Sequence, residues 1–232
     1  MAKKLLDVVY ILKPSVGHDE LRYSLRSVDK NFPHRKVWFV CGQPDGFVPD
    51  GRIIHTQVGV NKWDRIRSSV WEVVNHPEIT DDFYLFNDDF FIMKKPTGKF
   101  VNFVDGSLDD RIKELRLENP WLNAYGRSVN KENEELKSLG ISRHNFEVHM
   151  PMLINKELAK TSIYAISAPQ VRSAYGNINK IPFIQHRDVK VYDMETVPED
   201  PDYLSTNDNV FVDGAVGKYI RGVFSEPSRF EV

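Results

Sequence analysis

Short apolar segments alternate with amphipathic segments through the first half of the chain. The apolar segments are rich in β-branched and aromatic residues, which is typical of buried strands, and the others repeat apolar residues at helical spacing. The predicted strands are 5–12, 36–41, 52–58 and part of 81–93, and the predicted helices are 19–32 and 62–76. This order predicts an α/β fold with a mixed, mostly parallel sheet.

The second half has a looser pattern. Residues 106–140 are highly charged and are predicted to be partly helical, as an insertion or flap. The other predicted elements are strands at 144–154 and 188–194 and helices at 155–163 and near 213–223. Because no repeat, low-complexity segment or linker composition interrupts the chain, we expect a single domain over 1–232.

Composition narrows the classes of protein that fit. The 232 residues are 41% hydrophobic and 12% aromatic, which is enough to build a sizeable core. The net charge of −2 does not favour general nucleic-acid binding, although a local basic groove is compatible with it. The single cysteine, Cys41, excludes an internal disulfide and fits a reducing compartment. The first apolar run is too short to span a membrane and lacks a cleavage site, so we expect a cytoplasmic protein without membrane insertion.

Two adjacent carboxylates, Asp88 and Asp89, follow the apolar run FYLF and precede the apolar run FFIM. In open α/β sheets, ligands bind at the carboxyl ends of the strands, where this pair is predicted to lie. Two carboxylates there are suitable ligands for Mg²⁺ or Mn²⁺, and such an ion can neutralise a leaving diphosphate. The alternative is a simple turn with local side-chain-to-backbone hydrogen bonds.

Several cations are candidates for binding a phosphorylated ligand. Lys62 and Arg65 lie near the start of a predicted helix, where free backbone N–H groups would add to their charge. Arg26 on the first helix and Arg172 in VRSAYGN are further candidates. For each of them the alternative is a solvated surface position. The chain has no P-loop, GxGxxG, GxSxG or zinc-type cysteine spacing, which argues against the corresponding enzyme classes.

The segment FYLFNDDFFI, together with the helical segment DELRYSLRSVDKNFP, resembles the Stealth family. That family includes bacterial capsular polysaccharide phosphotransferases and the animal enzyme that adds N-acetylglucosamine-1-phosphate to lysosomal glycoproteins. HMPMLINK at 149–156 is similar to the third conserved block of the family, and YLSTNDN at 203–209 to the fourth. The closing PSRFE resembles the ending of the animal enzyme. Over nearly its whole length the chain also resembles a group of short glycosyltransferase-like proteins of tailed phages.

The resemblance implies a Rossmann-like fold of the glycosyltransferase-A type and a nucleotide-sugar donor, with UDP-sugars first among the candidates. Asp88 and Asp89 match the acidic pair that is implicated in metal binding and catalysis. His149 matches the histidine of the third block, which is a candidate for catalysis, and Asn207 and Asp208 match the Asn-Asp of the fourth block. The first strand continues into ILKPSVG, whereas Stealth proteins usually have Trp-Val-Asp/Asn-Gly there. This departure favours the phage group.

Three functions follow as hypotheses. The first is a metal-dependent glycosyltransferase in which Lys62, Arg65, Arg26 and Arg172 bind the donor and Asp89, His149 and Asp208 take part in catalysis. The second is a hexose-1-phosphate transferase that releases a nucleoside monophosphate. The third is a non-catalytic binding module. The acceptor is expected to be modified DNA, a virion protein or a polysaccharide in a bacterial or phage-infected cell.

Overall fold

The computed structural model describes residues 4–13, 19–40, 42, 44–54, 59, 61–167 and 170–232. Within these ranges the strands are β1 (Asp7–Ile11), β2 (Val37–Val40), β3 (Gly51–Ile53), β4 (Asp82–Phe86), β5 (Phe90–Ile92), β6 (Asn102–Val104), β7 (Met152–Asn155), β8 (Phe183–Gln185), β9 (Lys190–Val191) and β10 (Tyr203–Thr206). The helices there are α1 (Asp19–Asn31), α2 (Lys62–Asn75), α3 (Leu108–Glu118), α4 (Ala124–Ser138), α5 (Lys156–Ser162), α6 (Val171–Ile178), α7 (Asp208–Asp213) and α8 (Ala215–Val223). Cys41, residues 14–17 of ILKPSVG and residues 55–58 of the predicted third strand lie outside the described residues.

A central sheet of five strands has the order β3-β2-β1-β4-β7. The first four strands are mutually parallel, and β7 pairs antiparallel with β4 at one edge. The prediction of a Rossmann-like α/β fold with a mixed, mostly parallel sheet is therefore confirmed. Two smaller sheets have the orders β5-β10-β9 and β6-β8.

Both faces of the central sheet are buried, as the continuous apolar runs predicted. Because successive side chains of a strand point to opposite faces, Val9 enters one core and Val8 and Tyr10 enter the other. The core that contains Val9 is covered by α2, α5 and α6. The opposite core is covered by α1 through Leu21 and Leu25. Helices on both faces make this a three-layer arrangement.

The order of the strands changes direction between β1 and β4. The chain passes from β1 through α1 to β2 on one side, and it returns from β3 through α2 to β4 on the other side. Since α1 and α2 cover opposite faces, a crevice opens at the carboxyl ends of β1 and β4. This topological switch point is where ligands bind in open α/β sheets.

The predicted fourth strand is in fact two strands that belong to different sheets. β4 ends at Phe86 in the central sheet, and β5 begins at Phe90 and pairs antiparallel with β10. The three polar residues between them break the ladder, because the N–H of Phe90 donates to the carbonyl of Asn87 at 3.4 Å and closes a turn.

The strands predicted at 144–154 and 188–194 are mostly irregular, with only β7 and β9 formed inside them. In the irregular part of the first segment, side chains accept from several of the backbone N–H groups. Asn177 accepts from His144 at 2.8 Å, and Ser173 accepts from Phe146 at 3.1 Å. Such bonds compete with the formation of a ladder. The predicted terminal helix is α8, which follows the short helix α7.

The charged segment 106–140 contains α3 and α4, which share a small core with Leu108, Ile112, Val129 and Leu136. Its action as a flap stays a prediction. Between these helices Trp121 is 89% exposed, so this indole is not a packing residue. Within the described ranges, no helix combines the length and apolar character needed to cross a lipid bilayer.

Candidate active site

The acidic turn, which consists of Asn87, Asp88 and Asp89, joins β4 to β5 at the carboxyl end of β4. The buried rings of Phe86 and Phe90 fix its two ends in the core. Asp88 and Asp89 are half-buried. Their carboxylates therefore lie at the switch point of the sheet, where the fold itself provides a crevice.

Arg172 contacts the acidic turn through hydrogen bonds of its guanidinium group. Its side chain is buried and donates to the carbonyl of Met150 at 2.8 Å and to Oδ1 of Asn87 at 3.3 Å. From the other side, Oγ of Ser24 on α1 donates to the carbonyl of Phe90 at 2.5 Å. These contacts show that Arg172 helps to hold the turn in place, and its binding of the donor stays a prediction.

Asp89 forms an ion pair with Lys190 of β9. Lys190 Nζ lies 2.9 Å from Oδ2 of Asp89, and the two side chains are only 15% and 13% exposed. Burial by itself would lower the pKa of Lys190, but the charge and hydrogen bond of Asp89 hold that pKa above its ordinary value. Among the described residues, the buried Oδ1 of Asp89 has no hydrogen-bond partner. One oxygen of this carboxylate is therefore available to another ligand.

Further carboxyls face the acidic turn. Glu20 lies on the first turn of α1, and burial raises its pKa to about 7. A hydrogen bond from Thr206 to this carboxylate has the opposite, smaller effect on the pKa. The negative charges of Asp89, Asp88 and Asp208 add to this rise. Asp208 begins α7, so the structure brings the Asp-Asp pair and the predicted Asp208 close enough to Glu20 for their charges to act on it. Together they create a local excess of negative charge that favours a cation.

His149 and Asp188 form a hydrogen-bonded dyad. Oδ2 of Asp188 lies 2.7 Å from Nδ1 of His149, and Oδ1 accepts from the backbone N–H of His149 at 2.9 Å. The imidazole packs edge-on against Phe90, with 6.2 Å between the ring centroids. Since Phe90 follows Asp89 directly, the dyad lies beside the acidic turn.

The mouth of the crevice also carries a lysine set, which consists of Lys13, Lys62 and Lys190. Desolvation lowers the pKa of Lys62, and the positive charges of Lys13 and Lys190 lower it further. Lys13 follows β1, Lys62 begins α2 and Lys190 lies on β9, so three elements direct positive charge to one place. An anion that binds among these ammonium groups relieves their repulsion.

Three predicted features of donor binding have other partners. Arg26 donates to both oxygens of Glu231 at 2.8 and 2.7 Å, in the closing PSRFE segment. The exposed Arg65 donates to the carbonyl of Gly59 at 3.5 Å. The first N–H groups of α2 are not free, because Oδ1 of Asn61 accepts from Trp63 and Asp64 at 3.0 Å each. The prediction of free N–H groups there is wrong.

Asp88 and Asp89 fit a divalent cation that is shared with a diphosphate. Mg²⁺ is commonly held by one or two carboxylates, with phosphates and waters completing its shell. The unbonded Oδ1 of Asp89 and the surrounding negative charge meet that requirement. Across the described ranges, no group of three or more His, Cys, Asp or Glu side chains is placed to hold an ion alone. Ligands from a bound substrate are therefore part of this fit.

Glu20, Asp188 and Lys190 were not among the site residues predicted from the sequence. Asp188 and Lys190 are two residues apart, a spacing that puts both side chains on one face of an extended segment. That spacing was a usable signal for a shared site. Glu20 gave no such signal, because an acidic residue in the first turn of a helix is explained by the helix dipole alone.

No protein-family model matches the chain, and no curated protein matches it. Among solved structures, the chain is similar to the glycosyltransferase GlyE of Streptococcus pneumoniae TIGR4, with 10% identity and a TM-score of 0.46. The match covers 97% of this chain and 61% of that one, so this chain spans about three fifths of the GlyE structure. The resemblance to Stealth proteins stays a prediction.

Proposed function

We propose that the protein is a metal-dependent glycosyltransferase that moves a sugar from a nucleotide-diphosphate sugar to an acceptor hydroxyl. The observation that carries this proposal is the position of the acidic turn. Its two carboxylates lie at the switch point of the sheet, where Asp89 pairs with Lys190 of the lysine set and the next residue, Phe90, packs against His149 of the His149–Asp188 dyad. The transfer proposed here needs a bound diphosphate and the removal of a proton from the acceptor hydroxyl.

The donor diphosphate is proposed to bind between the acidic turn and the lysine set. Among the described carboxylates, none forms a close ion pair with Lys13 or Lys62, and these two lysines supply positive charge for the phosphates. Lys190, by contrast, is already paired with Asp89. Charge-assisted hydrogen bonds from ammonium groups to phosphate oxygens are among the stronger polar interactions. We take a UDP-sugar as the first donor to test.

Asp88 and Asp89 are the residues that would hold Mg²⁺ or Mn²⁺. When bound, such an ion supplies Lewis acidity that neutralises charge on the departing diphosphate. Asp208 would add negative charge to this region, because its charge already contributes to the raised pKa of Glu20.

His149 is proposed as the group that accepts the proton of the acceptor hydroxyl. Imidazole is suited to this task at neutral pH, and Asp188 holds the ring in a fixed orientation. The acceptor oxygen forms a bond to the anomeric carbon, the bond from that carbon to the phosphate oxygen breaks, and the nucleoside diphosphate leaves with the electron pair.

The test is a screen for the nucleotide that is released. The protein would be incubated with a panel of nucleotide sugars, with and without MnCl₂, and with acceptors such as hydroxymethylated DNA, proteins and oligosaccharides. Mass spectrometry then identifies the products. We expect release of a nucleoside diphosphate, UDP in the first instance, that requires the metal and the carboxylates of Asp88 and Asp89.

The control variant is Asp202→Asn, which changes an exposed aspartate beyond the far end of β10. It should release nucleotide as the parent does, whereas Asp88→Asn and Asp89→Asn should not. Release of UMP in place of UDP would contradict glycosyl transfer and support hexose-1-phosphate transfer. Metal-dependent donor binding in calorimetry without any release would support a binding module.

A further inference from the structure

Asp188 directs both of its oxygens to one residue. Oδ2 meets Nδ1 of the His149 ring at 2.7 Å, and Oδ1 accepts from the His149 backbone N–H at 2.9 Å. Burial would raise the pKa of Asp188, but the hydrogen bond and charge of His149 and the backbone N–H groups outweigh it, so this pKa lies below its ordinary value. The carboxylate is therefore ionised near neutral pH and can only accept hydrogen bonds.

An ionised carboxylate fixes the tautomer of the histidine. Because it has no proton to donate, the short contact requires that Nδ1 of His149 carries the hydrogen. In neutral His149 the lone pair then lies on Nε2. Among the residues that the structure describes, Nε2 has no hydrogen-bond partner. The side chain of His149 is 26% exposed, so this nitrogen can meet a ligand.

Asp188 is itself held in place. Its backbone N–H donates to Oδ2 of Asp105 at 3.0 Å. Two residues later, Lys190 forms the ion pair with Asp89 at 2.9 Å. The segment from Asp188 to Lys190 therefore contacts both His149 and the acidic turn, and it sets the position of one relative to the other.

We propose that Asp188 is a positioning residue that keeps His149 in the Nδ1–H tautomer, with Nε2 ready to take the proton of an acceptor hydroxyl. This inference rests on the proposed glycosyl transfer and names a residue that the sequence did not reveal. In the reaction the proton moves from the acceptor oxygen to Nε2, and the imidazolium that results is stabilised by the carboxylate of Asp188. Asp188 itself neither gains nor loses a proton.

In the alternative hypothesis, Asp188 only stabilises the loop around His149 and has no influence on the tautomer of the imidazole. Asp188→Asn separates the two roles, since the amide oxygen can still accept from the His149 backbone N–H. Its amide can also donate to an unprotonated Nδ1, so the variant permits both tautomers. A structural role predicts a loss of thermal stability alone, and a positioning role predicts a change of tautomer and of kcat.

The first measurement is a long-range ¹H–¹⁵N correlation spectrum of the ¹⁵N-labelled protein, with His149→Gln used to assign the signal among the seven histidines. We expect neutral His149 in the parent to be protonated on Nδ1 and the Asp188→Asn variant to show a mixture. A parent that is protonated on Nε2, or a variant with an unchanged spectrum, would overturn the positioning role.

The second measurement is the steady-state rate of UDP release from the donor found in the screen. We expect Asp188→Asn to lower kcat about 100-fold, which lies in the usual range for general-base catalysis, with the donor KM within about twofold of the parent. An unchanged kcat would overturn the proposal. Absence of turnover in the parent would overturn the proposed function, whereas the spectrum would still decide the tautomer.

Discussion

Two clusters of charge in this molecule each pair a carboxylate with basic side chains, and they behave in opposite ways. The C-terminal clamp consists of Arg22, Arg26, Ser228 and Glu231. Glu231 accepts from Arg22 at 2.6 Å, from Arg26 at 2.8 and 2.7 Å and from the backbone N–H of Ser228 at 2.8 Å. Despite burial, these partners lower the pKa of Glu231 to about 2. At the acidic turn, by contrast, the pKa of Glu20 is raised to about 7.

Structural and functional charges in this molecule are distinguished by how completely their hydrogen bonds are satisfied within the fold. In the clamp, donors surround both oxygens of Glu231, so the charge is satisfied within the fold. At the acidic turn, like charges lie together and the buried Oδ1 of Asp89 lacks a described partner. Unsatisfied charge in a crevice costs stability and is typical of a site that a ligand completes.

The largest expected effect is on activity at the acidic turn. Asp89→Asn should lower the rate of nucleotide release about 1000-fold, because it removes charge that the departing diphosphate requires. The matched change in the clamp, Glu231→Gln, should leave the rate within about threefold of the parent at a temperature where both proteins are folded. Equal losses of activity in the two variants would contradict the assignment of the acidic turn to function and of the clamp to structure.

The next effect is on stability. Glu231→Ala should lower the free energy of unfolding by about 3 kcal/mol, because it leaves two arginines without their partner. Urea denaturation followed by circular dichroism measures this change, and Glu226→Ala, at an exposed neighbour, is the control. Since the folded pKa of Glu231 is depressed, its contribution is present above about pH 4 and is lost as the pH falls towards about 2. Stability that is independent of pH over that range would contradict this assignment.

A third carboxyl with a shifted pKa, in addition to those of Glu231 and Glu20, lies on α4. Glu132 on α4 is fully buried, both of its oxygens lack partners among the described residues, and burial raises its pKa well above the ordinary value. Its folded pKa is raised, so its contribution to stability is present at low pH and is lost as the pH rises. Glu132→Met should therefore stabilise the protein by about 2 kcal/mol near pH 8 and by less near pH 5.

The control for this change is Glu134→Met on the exposed side of the same helix. It should alter the melting temperature little at either pH. A destabilising Glu132→Met would show that an unseen partner satisfies this carboxyl.

The smallest expected effect concerns the ion pair of the acidic turn. Lys190 competes with any cation for Oδ2 of Asp89, since its ammonium lies 2.9 Å away. Lys190→Met should therefore raise the affinity for Mn²⁺ about tenfold in the absence of donor, or ~1.4 kcal/mol. Electron paramagnetic resonance of free Mn²⁺ measures this, and Lys99→Met, on an exposed loop, is the control. Weaker Mn²⁺ binding in the Lys190 variant would show that the lysine supports the metal site.

The central sheet could be predicted from local sequence patterns. The apolar runs of β1, β2 and β4 read as buried strands because both faces of a parallel sheet are covered. The same runs could not show that residues 90–92 leave the sheet, since the pairing of β5 with β10 joins residues far apart in the chain. The irregular path of 144–151 was hidden for the same reason, because its backbone partners are side chains of distant residues such as Asn177 and Asp188.

Some residues of the candidate site could likewise be predicted from local sequence, and others could not. Asp88 and Asp89 could be placed from sequence because a break between two apolar runs marks the end of a strand. Arg26 and Arg172 could not be judged, because an arginine has the same local pattern whether it binds a ligand, a chain terminus or the turn beneath a site. The contacts of Arg26 with Glu231 and of Arg172 with Asn87 join residues that no local periodicity relates.

The α/β class and the position of two carboxylates at a strand end could therefore be predicted from local sequence, since both depend on interactions between near neighbours in the chain. The surroundings of those carboxylates depend on the folding of the whole chain. Folding brings Glu20, His149, Asp188 and Lys190 together from three different segments of the chain. Hydrogen bonds and charge interactions act over a few ångströms in space, whatever the number of residues that separates the partners.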